Sequence, residues 1–230
     1  MRPVMSKCSC RAATALFAAL ALSSVVASPM SAQASDSTPA AVARASLPAA
    51  LRDRIDRLAD SARAHALPAD PLYEKAAEGV LKGATAERIV GAVARLSAEL
   101  GQARTALGID ASATELLAGA SAIHAGADPA RLADLVQAAR GRPRGTSLVL
   151  PLVVLADMLQ RHVTPAVAVG SLTTLLRSGA GDAEFTSLRA AVESGIARGQ
   201  TPDLATRAQT DAVARQLRDV RKPPAIEQRP

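Results

Sequence analysis

Residues 83–107, GATAERIVGAVARLSAELGQARTAL, decide how this chain folds. Ile89, Val93, Leu96, Leu100, Ala103 and Leu107 recur at alternating spacings of four and three, which places them on one narrow stripe of an α-helix. Just before the stripe stands Gly83-Ala84-Thr85-Ala86, where glycine supplies the left-handed residue that closes a preceding helix. Thr85 then has the oxygen to cap the next one.

The same mark recurs as Gly126-Ala127-Asp128-Pro129, His162-Val163-Thr164-Pro165 and Gly199-Gln200-Thr201-Pro202, at intervals of 43, 36 and 37 residues. Proline suits the first helical position, where an N–H has no partner to lose. With a helical pattern on each side, the four marks predict four helical hairpins over Pro71–Leu107, Ser112–Arg140, Thr146–Ser178 and Asp182–Val220. Leu47, Leu51, Ile55, Leu58 and Ala62 predict one amphipathic helix ahead of them. With one Tyr, two Phe and no Trp, the core must be aliphatic, and alternating β-branched runs are missing. The expected fold is all-α: an α-solenoid-like array or a closed helical bundle.

The third hairpin differs from the others. Leu148, Val149, Leu150, Leu152, Val153, Val154 and Leu155 leave almost no polar face, so that helix is either buried by its neighbours or open to a partner. The helix after Pro202 is interrupted by polar residues and reads as a cap on the array. Residues 35–46 lack an apolar period and read as a flexible leader, and residues 221–230, with three prolines, as a disordered tail. Residues 47–220 form the helical domain between them.

Met1 to Ala34 reads as a cleavable signal peptide. Arg2, Lys7 and Arg11 precede an apolar run from Ala12 to Ala27, and Ala32 and Ala34 offer small side chains to a signal peptidase. The run is short for a membrane-spanning helix. Cleavage removes both cysteines, Cys8 and Cys10, and with them disulfide and thiolate chemistry. It also removes three basic residues, which leaves 24 Lys and Arg against 21 Asp and Glu. So small an excess gives little reason to expect nucleic acid as a partner.

Chemistry is sparse. His65, His124 and His162 fall near predicted helix C-termini, where the macrodipole favours them, and no His-Glu-x-x-His pair is present. We expect no metal and no cofactor. Asp157 lies in the most apolar surroundings and is the acid best placed for general acid work, but Arg161 one turn later offers an ion pair. Asp53 with Arg57 and Arg95 with Glu99 repeat that spacing. Two basic clusters, Arg140, Arg142 and Arg144, and Arg215, Arg218, Arg221 and Lys222, are candidate anion-binding residues.

An array of helix pairs with a period near 40 resembles HEAT and armadillo solenoids in architecture. Their turn signatures are absent here, as is the tetratricopeptide pattern, so no residue role carries over. The expectation is an exported, non-catalytic scaffold or adaptor for another envelope protein. The alternatives are an anion or membrane-surface binder acting through the arginine clusters, and an enzyme centred on Asp157 with a histidine. Processing has a direct check: the intact mass of the chain recovered from the producing cell's envelope should correspond to a start at Ser35, and a mass retaining Cys8 and Cys10 would refute cleavage.

Overall fold

The computed structural model of the chain describes residues 38–139 and 147–221. These residues form ten α-helices and no strand, so the protein is all-α. The helices are α1 Pro39–Ala45, α2 Ala49–Ala64, α3 Asp70–Leu81, α4 Ala86–Leu107, α5 Ala113–His124, α6 Pro129–Ala139, α7 Val149–Gln160, α8 Pro165–Arg177, α9 Asp182–Ala197 and α10 Pro202–Arg221.

Six of them, α2, α3, α5, α7, α8 and α9, end in the same way. A residue with positive φ follows the helix, and the amide after it reaches back five residues to a carbonyl. Ala127 N donates to Ala122 O at 2.9 Å across Gly126, and Val163 N to Met158 O at 3.0 Å across His162. This closure satisfies carbonyls that a helix end otherwise leaves without partners. Glycine holds the left-handed position at four of the six ends; Ala66 and His162, with φ of 54° and 64°, hold it at the other two. The residue after it is a buried apolar one in four cases: Leu67, Ala127, Val163 and Ala180.

One expectation for the leader is corrected. Residues 39–45 are helical, capped by Thr38 and opened by Pro39, so two helices and not one precede α3. Thr38-Pro39 is the same cap-and-proline pair as Thr164-Pro165, but with Ala40 the only buried residue of α1 no apolar stripe announces the helix. Polar contacts dock it instead. Arg44 grips Asp56 of α2 through two bonds of 2.7 and 2.6 Å, and Arg52 donates to the carbonyls of Arg44, Ala45 and Leu47.

Packing runs in two rows. Helices α5, α7 and α9 follow one another in one row and α4, α6, α8 and α10 in the other, with α4 against α5, α7 against α8 and α9 against α10 joining them. At the N-terminal end α3 lies on α4, α1 on α3, and α2 on both α3 and α4. Helices α5 and α6, expected to form a hairpin, share little contact; each leans on the next helix of its own row. The apolar segment of α7 is covered by α5, α8 and α9, and Leu152, Val154 and Leu155 are fully buried.

Carboxylates fasten neighbours within each row by capping across helices. Glu115 forms a capping box with Ser112 at the start of α5, and its second oxygen accepts the Leu148 amide, the N-cap of α7, at 2.9 Å. Asp203 in the first turn of α10 accepts the Thr164 amide at 2.8 Å and the Thr164 hydroxyl. Thr164 therefore does not cap α8 with its own side chain as its position suggests, whereas Thr85 does cap α4. Burial pushes the Glu115 carboxyl up, and the bonds from Leu148 and Ser112 outweigh it and hold the group below its usual range. The Thr164 hydroxyl and amide do the same for Asp203. For Asp56 the Arg44 guanidinium is the main cause, acting against burial with help from the Tyr73 hydroxyl at 2.9 Å.

These depressed values give a pH dependence with a definite sign. A carboxyl whose folded pKa lies below its unfolded value contributes stability above the unfolded value, and that stability is lost as pH falls through the folded one. The usual values are 3.8 for Asp and 4.5 for Glu. The melting temperature should therefore hold between pH 7 and 5 and fall from pH 4.5 toward 2. In the double variant Glu115→Gln, Asp203→Asn it should start lower at pH 6 and fall less, measured by circular dichroism.

Candidate functional site: a charged groove on α3 and α4

Asp157 joins two helices. Its Oδ2 accepts from Arg161 Nε at 3.0 Å and from Arg189 Nε of α9 at 3.1 Å, while Arg161 also reaches Glu193 at 3.4 Å. An acid held by two guanidiniums fastens α7 to α9. Among the described residues no histidine makes a hydrogen bond or ion pair with it. His65 Nδ1 lies 2.8 Å from the Ser61 carbonyl, His162 occupies its left-handed turn, and His124 Nδ1 is 2.9 Å from Glu99 Oε1 of α4. Among the described residues no three His, Cys, Asp or Glu side chains come together in a metal-binding group.

The arginine clusters are only partly in view. Arg140, Arg142, Arg144 and Lys222 lie outside the described residues, as does the side chain of Arg221. Arg215 and Arg218 stand exposed on α10.

A different concentration of charge lies along α3 and α4. A groove of about 420 Å³ is lined by Lys75, Glu78 and Lys82 from α3 and its C-cap and by Arg88, Gly91 and Arg95 from α4. It shares Lys75, Ala92 and Arg95 with a second cavity of about 230 Å³ toward α5 and α7, whose wall includes Glu99, Ser121, His124 and Gln160. Neither Asp157 nor His162 is among the residues lining that cavity. Together the two hold four Lys and Arg side chains against two Glu.

The pairing inside the groove decides which charges are open. Lys75 lies 2.9 Å from Glu78, and Lys82 binds the same carboxylate, so both lysines turn to one acid. Lys82 first and Lys75 second hold Glu78 down at about 2. Arg95 does not pair with Glu99 despite the helical spacing, because Glu99 turns to His124; Asp53 and Arg57 do not pair either. Among the described residues neither Arg88 nor Arg95 has an acidic partner within 4.0 Å.

Of these residues the sequence singles out Arg95 alone, as a partner for Glu99, although a signal for the rest is present. Lys75, Glu78 and Lys82 recur at three and four on α3, and Arg88 and Arg95 are seven apart on α4, each set on one helical face. Attention to consecutive runs of arginine favoured the clusters, whereas a groove draws its charges from two elements at helical spacing.

Another groove, of about 370 Å³, runs between α8 and α10 beside Gly170, Ser171 and Thr174, with Arg207 and Asp211 as its charges. One cation and one acid leave it electrically balanced. Among the described residues no helix is long and apolar enough to cross a membrane.

Gly91 stands inside α4, and a Cβ built there meets nothing within 4 Å. Gly195 is the opposite case, since its Cβ would fall 2.7 Å from the Ala205 Cβ where α9 and α10 touch. Gly91→Ala should therefore raise stability by about 0.5–1 kcal/mol, the gain of alanine over glycine in an open helix interior. Gly195→Ala should lower it, with chemical denaturation of both variants as the measurement.

Compared with protein-family models, with curated proteins and with solved structures, the chain matches none.

Proposed function

We propose that this chain is an exported, non-catalytic binding protein, a repeat-like helical array that acts as a scaffold or adaptor for another protein of the cell envelope. The observation that carries the reading is where the reactive and apolar groups are placed. The acid best suited by sequence to proton transfer is held by Arg161 and Arg189 in a contact between helices. A general acid or base must be free to exchange its proton with a bound substrate. The apolar segment Leu148–Leu155, a docking surface had it been open, lies largely in the core and offers a partner little apolar area. The open concave face over α3 and α4 carries two guanidiniums without an acidic partner among the described residues, and it offers a partner both shape and charge.

The arginine-cluster alternative gains less support, because Arg215 and Arg218 lie on an exposed helix face with no cavity beside them among those described. The order of charged, apolar and small residues at the N-terminus supports export.

Photo-crosslinking in the producing cell tests the proposal. A crosslinking residue replacing Lys82, at the groove rim, should give an adduct with a discrete protein. The same residue replacing Arg215 should not. An adduct from position 215 alone would promote the arginine clusters, and no adduct from either position would overturn a binding role.

A further inference from the structure

We infer that the α3–α4 groove receives an extended acidic peptide segment of the partner, with carboxylates seated on Arg88 and Arg95; this rests on the binding-protein reading above. Three independent observations lead to it.

Charge comes first. Arg88 and Arg95 are both exposed, both line the groove, and neither meets an acid of the described residues, while the nearby Glu78 is already satisfied by Lys75 and Lys82. What the groove lacks is two carboxylates. A guanidinium takes a carboxylate through two parallel N–H bonds, so two arginines on one face specify position as well as charge.

The second observation is spacing. Seven residues at 1.5 Å rise separate Arg88 from Arg95 by about 10 Å along α4. In a polyproline-like extended segment, side chains three residues apart share a face and lie about 9 Å apart. An acidic residue at every third position of such a segment meets both arginines.

The third is Gly91, midway between them on the groove wall. It is helical and not in a left-handed turn, and no neighbour in the chain crowds the place of its Cβ. Nothing within the fold asks for glycine there. A backbone laid between the two arginines does, because glycine allows it to come close to the helix.

The lining also separates a peptide from other polyanions. Beside Arg95 the groove continues past Ser121 and Gln160, which both donate and accept, and past the carboxylate of Glu99. These match the amides and carbonyls of a peptide. A chain of phosphates only accepts and leaves the Gln160 amide oxygen without a donor, and a flat bilayer does not reach the floor of a groove between two helices.

The probe is a synthetic, fluorescently labelled peptide with aspartate at every third position and prolines between, titrated against the full-length chain by fluorescence anisotropy. Saturable binding is expected, with none to the same peptide carrying asparagine. Arg88→Ala with Arg95→Ala should weaken it at least about tenfold, the loss expected for charge-assisted hydrogen bonds. Gly91→Leu should weaken it while keeping the helical circular dichroism spectrum and melting transition. Arg215→Ala with Arg218→Ala should bind as the parent does. Binding that ignores the arginine or glycine changes, or equal binding to phosphatidylglycerol vesicles or polyphosphate, would overturn the inference. Failure of the peptide to bind while the Lys82-position adduct persists would remove the acidic segment and leave the binding role. Loss of both would remove both.

Discussion

Ten helices of 7 to 22 residues give this chain many helix ends, and every end leaves backbone groups without helical partners. How those ends are closed governs the rest of the structure. At six of the C-terminal ends the solution is local: a left-handed residue folds the chain back on its own last turn, and in four of them the next side chain is apolar and enters the core. At the N-terminal ends it is shared between elements. Glu115 caps its own helix and accepts the first amide of α7, and Asp203 accepts the amide and hydroxyl that open α8. Each of these carboxylates ties neighbouring helices in one row, so satisfying an orphan amide also sets where the next helix begins. Arg104 does the same for carbonyls, donating to Ala66, Ile109 and Ala111 in two separate turns.

A core almost without aromatic rings follows the same logic. Among the described residues Phe185 and Tyr73 are the only buried rings, and the remaining core is Leu, Val, Ile and Ala with Met158. Small side chains let axes come close, and glycine brings them closer still where Gly119 meets Ala103 and Leu107 and where Gly195 meets Ala205. The same feature makes short helices sufficient, because close packing compensates in contact area for what each element lacks in length.

The acids divide by role. Those that face neighbouring helices, Asp56, Glu115, Asp157 and Asp203, are each bonded by donors from another element, and they serve the fold. In the lining of the two cavities on α3 and α4, Lys75, Lys82, Arg88 and Arg95 stand against Glu78 and Glu99.

Much of the architecture is legible in the residues alone. The four marks fall in turns between helices, because glycine admits the positive φ that ends a helix and proline is locked at the φ that starts one, and α4 follows its stripe from Ile89 to Leu107. The burial of Leu148–Leu155 is legible as one of two outcomes, since an apolar helix needs cover but does not name it. Helix α1 was missed because its docking uses Arg44 and Asp56, twelve residues apart, and not an apolar period. The groove was missed in part because Arg95 and Glu99 have the spacing of an ion pair, and only the approach of His124 from α5 draws Glu99 away and leaves Arg95 open. The sequence by itself determined the all-α class and the places where helices stop, since these depend on local φ preferences and helical periodicity. Tertiary structure alone decided which helices touch, which carboxylate caps which neighbour and which arginines stay unpaired, because each of those depends on residues brought together from distant parts of the chain.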